Sequence, residues 1–187
     1  MDTINQVYTH HCNRFSDIYE HLPTLKKYAE EVDTVVEMGV RWVVSTWAFL
    51  AAKPKNMISI DIDNPSKYNI PIEQLEALAN ESGIPYKFVQ ADTTKIEIEE
   101  CDLLFIDTWH VYDQLKKELE LHGNKAKKYL IFHDTTTFGE SGETEGHKGL
   151  QPAIDEFLED NPHWKVKEVF TNNNGLTILE RYQEAKQ

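Results

Sequence analysis

The sequence predicts an α/β fold: a doubly wound sheet of about seven strands, mostly parallel, with an antiparallel C-terminal hairpin and N-terminal helices in front of it. Three observations predict it. Short, near-continuous apolar runs alternate with amphipathic segments of helical length, the pattern of a parallel sheet covered on both faces. One of these runs, Val35-Val36-Glu37-Met38, passes an acid and Gly39 and becomes a helix through Trp47, Ala48, Phe49 and Leu50. The last two runs are joined by Asn172-Asn173-Asn174-Gly175, whose Asn-Gly pair is a strong hairpin signal.

Taken in order, residues 3–15 and 22–32 read as two helices, the second with Pro23 in its first turn, where a missing N–H costs little. A strand at 33–38 leads into a helix at 44–52, and the alternating run Met57-Ile58-Ser59-Ile60-Asp61-Ile62 is the next strand. A helix at 71–81 is stopped by Ser82-Gly83. The strand at 86–90 runs out to Asp92, and the strand at 102–106 ends at Asp107. A helix at 111–122, a strand at 129–132 ending at His133-Asp134, and a helix at 150–159 follow, before the hairpin of 164–170 and 176–179. With no repeat, linker or low-complexity stretch, the 187 residues read as one domain, 1–187, made of N-terminal helices (1–32) and a sheet core (33–182).

Composition excludes some classes of partner. Lys and Arg number 19 against 32 Asp and Glu, a formal charge of −13 that repels nucleic acid and anionic lipid. The densest basic cluster, Lys125, Lys127 and Lys128, reads as a solvated helix end. The longest apolar stretch, 42–52, is too short to cross a bilayer. Cys12 and Cys101 lie far apart in sequence and in different elements. With no signal-peptide pattern, they read as free thiols of a cytoplasmic protein.

Polar residues gather where ligands bind in such sheets, beyond the carboxyl ends of the strands. Five successive strands end on an acid or an acid-containing pair: Glu37, Asp61, Asp92, Asp107 and His133-Asp134. Asp61 follows Glu37 by 24 residues, close to the spacing at which an acid meets ribose hydroxyls. The glycine pattern excludes a dinucleotide, because the loop after the first strand lacks Gly-x-Gly-x-x-Gly.

An acid two residues before a single glycine, with Ser45-Thr46 opening the helix, resembles the S-adenosylmethionine (SAM) loop of class I methyltransferases. Within that class the chain is similar to the small metal-dependent O-methyltransferases grouped with macrocin and novobiocin sugar methyltransferases and cephalosporin hydroxylase-type proteins. The segments SDIYEHLPTLKKYAE, VVEMGVRWVVSTWAFL, ISIDI, DLLFIDTWHVYDQLKKEL, IFHDTT, GLQPAIDEFL and NNNGLTILE carry the resemblance, in order, from residue 16 to residue 180.

The resemblance implies a Rossmann-like fold and a transfer of methyl from SAM to a hydroxyl of a sugar or glycan, nucleotide sugars included, leaving S-adenosylhomocysteine (SAH). It implies that the loop of Glu37, Gly39, Val40 and Arg41, with Ser45, holds the methionine part, that Asp61 and Ile62 hold the ribose, and that Asp92 and Thr93 lie beside adenine. Asp107, beside the cofactor, would share a divalent cation, Mg²⁺ or Mn²⁺, with His133 and Asp134. A homodimer is compatible with this reading. Two positions depart from the family pattern. Val43 stands where relatives place a second glycine, and Trp109 stands where sugar methyltransferases often place an acidic base. His110 is the nearest group able to take the proton, so Asp107, His110 and His133 form the expected catalytic set.

The donor types leave alternatives open. Carboxylates suit a hard cation, whereas His133 is a softer donor more typical of Zn²⁺ or iron, or a partner behind the ligands. Asp107, His110 and His133 also match the two-His-one-carboxylate set of a non-haem iron oxygenase. Val43 and Trp109 are compatible with a protein that binds SAM without catalysis. The run 135–149, polar and with four glycines, is expected to be a mobile lid that brings Phe138 or His147 against the acceptor. Two further patterns read as incidental. His10-His11-Cys12 are adjacent on a helix and point apart, and Tyr112 and Lys116 form a Tyr-x-x-x-Lys pair without dinucleotide glycines.

Overall fold

The computed structural model describes residues 3–182. It divides into two compact units, Met1–Ile96 and Glu97–Gln187. The single domain expected over 1–187 includes residues 1–2 and 183–187, which lie outside the described residues.

The first unit holds α1 (Thr3–Cys12), α2 (Leu22–Ala29), β1 (Thr34–Met38), α3 (Val44–Ala51), β2 (Asn56–Asp61), α4 (Ile72–Glu81) and β3 (Tyr86–Gln90). The second holds β4 (Cys101–Ile106), α5 (Tyr112–His122), β5 (Ala126–His133), α6 (Gln151–Asp160), β6 (Trp164–Phe170) and β7 (Leu176–Arg181). Among the described residues the strands are ordered β3-β2-β1 in the first unit and β4-β5-β7-β6 in the second. β1, β2 and β3 are parallel neighbours, as are β4 and β5, whereas β7 runs antiparallel to both β5 and β6. The predicted fold class is therefore the observed one: a mostly parallel α/β sheet with an antiparallel C-terminal pair.

Core residues follow from the apolar runs. In the first unit Val35, Met38, Met57 and Ile60 of the strands are buried with Phe49 and Leu50 of α3 and with Leu25 and Tyr28 of α2. α1 and α2 both pack on α3, which is apolar all round because it is covered by helices as well as sheet. In the second unit Leu103, Leu104, Phe105, Leu130, Ile131, Phe132, Ile178 and Leu179 are buried. There α5 packs against α6. Among the described residues, no helix is long and apolar enough to cross a membrane.

Several boundaries move. The two N-terminal helices stop at Cys12 and Ala29, three residues before the predicted ends. β5 starts at Ala126 rather than 129, so Lys127 and Lys128 belong to a strand and not to a helix end. The hairpin turn is as predicted: Asn173, Asn174 and Gly175 take φ of 44°, 71° and 97°. A side chain on Gly175 would strike the backbone of Thr136, so the turn needs glycine for space as well as for φ.

The predicted strand-end pattern holds. Glu37 is the penultimate residue of β1, Asp61 the last of β2 and His133 the last of β5. Asp107 and Asp134 follow β4 and β5 directly, and Asp92 lies two residues past β3.

Candidate active site

In the first unit, the loop between β1 and α3 is unusually tight. Gly39, Arg41 and Val43 all take positive φ, at 86°, 42° and 63°. Gly39 N–H donates to the Ile60 carbonyl at 2.9 Å, and Val43 N–H to the Val40 carbonyl at 2.7 Å. Val43 is the N-cap residue of α3, with no side-chain cap, and it is buried. A β-branched residue in the left-handed region is strained by roughly 1–3 kcal/mol. Val43, where the resemblance expects a glycine, thus has a glycine-like backbone with a valine side chain on it.

Two acids hold this loop. Glu37 is fully buried, and a buried carboxylate needs partners. Its Oε1 accepts from the Ser45 hydroxyl at 2.6 Å, and its Oε2 accepts from Thr46 at 2.8 Å and Ser59 at 2.5 Å. Glu37 therefore ties β1 to the first turn of α3 and to β2, and Ser45 is occupied by the same network. Asp61 Oδ2 accepts from the backbone N–H groups of Val40 (2.7 Å) and Arg41 (3.0 Å), and its Oδ1 from Asp63 N–H at 2.9 Å. A carboxylate offers about four lone-pair positions, so three are filled from within the chain.

Beyond β2, Ile62 is 65% exposed, an uncovered apolar surface beside Asp61. Gln90 donates its side-chain amide to the Ile62 carbonyl at 3.1 Å. Asp92 accepts from the N–H and hydroxyl of Thr94 and pairs with Lys95 at 2.7 Å. Lys95 first, then Thr94, draws its pKa down to about 2. Thr93 is buried.

The second unit assembles a different kind of cluster. One donor atom each of Asp107, His110 and Asp134 lie within 4.8 Å of one another. His110 Nε2 is 3.2 Å from Asp107 Oδ1 and 2.9 Å from Asp134 Oδ2, while its Nδ1 donates to Glu143 Oε2 at 3.0 Å. His133 lies on the same two carboxylates, its Nδ1 3.3 Å from Asp107 Oδ2 and 3.3 Å from Asp134 Oδ2. Its Nε2 donates to the Asn173 carbonyl at 3.1 Å. Asp134 takes φ of 61°, and its Oδ1 is buried with no hydrogen-bond partner among the described residues.

Burial pushes both imidazoles toward the neutral form, but the carboxylates outweigh it, raising His110 to about 10 and His133 to about 11. Burial likewise pushes both carboxyls up, but the imidazoles outweigh it and bring Asp107 and Asp134 below the ordinary carboxylate range. Asp134 is buried and Asp107 half-buried, and the two imidazoles beside them offset the repulsion between their carboxylates.

The loop expected to be a lid is pinned at both ends. Phe138 N–H donates to the Asp134 carbonyl, Leu150 N–H to Phe138, and Gln151 N–H to Gly139. Ser141 and Lys148 form a β-bridge, and Glu143 N–H donates to the His110 carbonyl at 2.9 Å. Only the tip from 143 to 148 is continuously exposed. Phe138 stacks on the His110 ring, with centroids 5.0 Å apart and planes 6° apart, so it backs the histidine rather than standing free for an acceptor. Trp109 is half-exposed beside His147, at 5.8 Å.

Sequence reasoning grouped Asp107 and Asp134 with His133, and gave His110 the proton. The structure brings all four together, with His110 in the tightest group. Glu143 was missed. It lies 33 residues from His110, in a polar loop where nothing local distinguishes it from Glu140 or Glu145. Tyr112 and Lys116 belong elsewhere: both bind Glu156 Oε2 at 2.7 Å, which joins α5 to α6.

No protein-family model and no curated protein sequence matches this chain. Solved structures do. A protein from Corynebacterium glutamicum superposes with a TM-score of 0.68 at 14% identity, covering 100% of this chain and 93% of that one. An O-methyltransferase from Bacillus cereus in complex with SAH gives 0.62 at 11% identity, covering 96% and 90%. The SAH-bound methyltransferase PaMTH1 of Podospora anserina gives 0.61 at 14% identity, covering 98% and 89%. At these identities the likeness shows a shared fold: this chain has the Rossmann-like fold of SAH-binding methyltransferases along nearly its whole length.

Proposed function

We propose that the chain is a SAM-dependent O-methyltransferase that acts on a hydroxyl of a sugar or glycan with the help of a divalent cation. The observation that carries this reading is the cluster of Asp107, His110 and Asp134 just past β4 and β5, in a fold shared with SAH-bound methyltransferases. In this reading the first unit supplies the cofactor residues. Asp61 aligns the Val40 and Arg41 amides of the loop and turns its remaining lone pair to the ribose, while exposed Ile62 and the Asp92–Thr93 turn meet adenine. Glu37 acts as a positioning residue, because its oxygens are taken by three hydroxyls.

The chemistry is an in-line displacement: the bond from sulfur to methyl breaks, its electrons staying on sulfur as neutral SAH, while the bond from oxygen to methyl forms and the hydroxyl proton passes to solvent water. A sugar hydroxyl is a poor nucleophile at neutral pH. A divalent cation held by Asp107, His110 and Asp134 would lower the hydroxyl's pKa and orient it. Asp107 and Asp134 supply hard oxygen donors, and Asp134 Oδ1 has no competing partner among the described residues. Asp107 and His110, two of the expected catalytic set, then hold the cation, and His133 lies on the same carboxylates behind it. Phe138, stacked on the His110 ring, covers one face of it.

The test combines binding and turnover. Calorimetry should show SAH binding and no tight binding of NAD. Methyl transfer from SAM to members of a sugar and nucleotide-sugar panel should cease on chelation and return with added cation. NAD binding without SAH binding would overturn the reading.

A second reading rests on the two imidazoles. His110, His133 and Asp107 supply the donor types of a non-haem iron oxygenase. Iron retained through purification, together with substrate-dependent oxygen consumption, would favour it.

A further inference from the structure

The orientation of the two histidine rings says which cation the cluster is built for. In metal sites a ligating histidine almost always donates its other ring N–H to a carboxylate or a backbone carbonyl, which fixes the tautomer and aims the lone pair at the metal. Both rings here have that arrangement. His110 donates Nδ1–H to Glu143 Oε2 at 3.0 Å and turns Nε2 to the Asp107 and Asp134 carboxylates. His133 donates Nε2–H to the Asn173 carbonyl at 3.1 Å and turns Nδ1 to the same two carboxylates.

Separations of 2.9 to 3.3 Å between these nitrogens and oxygens resemble those of ligands around one small ion. Donors about 2.1 Å from an ion lie about 3.0 Å apart in an octahedron and about 3.4 Å apart in a tetrahedron, so the separations fit one small ion and the donor types decide which. A site built only for Mg²⁺ needs oxygen donors and bound water, with no use for aimed imidazoles. Phe138 stacked on His110 and the Glu143 N–H bond to the His110 carbonyl hold the ring in place from the loop side.

We propose that this cluster is a nitrogen-coordinated site for a first-row transition cation such as Zn²⁺ or Fe²⁺, with His110 Nε2, Asp107 and Asp134 as ligands and Glu143 as the positioning residue that orients His110. This assignment rests on the cation-assisted reading above and departs from Mg²⁺ as its metal. His133 is the second imidazole on the same carboxylates. Glu143 makes the loop part of the site, so the exposed tip serves to set the metal rather than to swing over it.

The experiment uses the full chain stripped with a chelator and titrated separately with ZnCl₂ and MgCl₂, with SAH titrated in parallel. Most sites favour Zn²⁺ over Mg²⁺, so the deciding reading comes from the variants. His110→Gln should weaken Zn²⁺ binding by about 100-fold or more, and Glu143→Gln by about 10- to 100-fold, while Mg²⁺ affinity changes little. Wild-type protein loaded with Co²⁺ needs no variant; it should show visible ligand-field bands that change in Glu143→Gln.

Zn²⁺ affinity unchanged in both variants, or Mg²⁺ bound as tightly as Zn²⁺, would overturn the assignment. SAH binding alongside that result would leave the methyltransferase reading standing. Histidine-dependent Zn²⁺ binding without SAH binding would support the metal site and remove the methyltransferase reading.

Discussion

In the first unit the acids at the strand ends accept hydrogen bonds from groups that keep their protons near neutral pH: hydroxyls for Glu37, backbone N–H for Asp61, Thr94 and Lys95 for Asp92. In the second unit Asp107 and Asp134 face two imidazoles, and one Asp134 oxygen has no hydrogen-bond partner among the described residues. The same sequence signal, an acid at the end of a parallel strand, therefore serves two purposes. A carboxylate filled by fixed donors is a clamp that shapes a loop. A carboxylate whose partners are imidazoles can exchange their protons for a cation, since ligands must deprotonate to bind metal.

The comparison breaks most visibly at Glu37. Glu37→Ala strands three buried hydroxyls, so unfolding should show a loss of about 3–5 kcal/mol. That corresponds to a Tm lower by roughly 6–20 °C. Asp107→Asn and Asp134→Asn should behave in the opposite sense. Calorimetry should show metal affinity falling by about 100-fold or more, with turnover lost, while circular dichroism and SAH affinity stay near wild type. A stability loss as large as that of Glu37→Ala would make the second cluster a clamp as well.

Val43 sharpens the first region. Both Val43→Ala and Val43→Gly delete the buried side chain, but only glycine adopts φ of 63° without strain. Val43→Gly should therefore be the more stable of the two, by about 1 kcal/mol in chemical unfolding, the reverse of the usual order. The smallest effect belongs to Asp92. Lys95 and Thr94 hold its folded pKa near 2, below the ordinary carboxylate range, so its contribution is complete above about pH 4 and is lost as pH falls toward 2. Asp92→Asn should flatten that part of the acid-unfolding profile and leave stability at pH 7 only slightly lower.

How much of this was readable from the chain depends on sequence distance. Periodicity and turn chemistry are local, so the strands, the helices and the Asn173–Gly175 hairpin could be placed to within a few residues. The row of acids was readable because parallel strands put their carboxyl ends on one edge. The inward turn of Glu37 was not, because it requires Ser45, Thr46 and Ser59 to converge from 8, 9 and 22 residues away. Nor was the pinned loop, whose anchors are backbone groups to which sequence is blind. His110 is legible as a titratable ring just past a strand end, but Glu143 behind it, 33 residues away, is not.

The central claim is that two separable sets of residues serve cofactor and cation, and titration of SAH into metal-free protein tests it most directly. The account predicts SAH binding by the wild type, unchanged in Asp107→Asn and weakened about 10- to 150-fold in Asp61→Ala, the loss of charged hydrogen bonds worth roughly 1.5–3 kcal/mol. No SAH binding by the wild type, or equal loss in both variants, would contradict it.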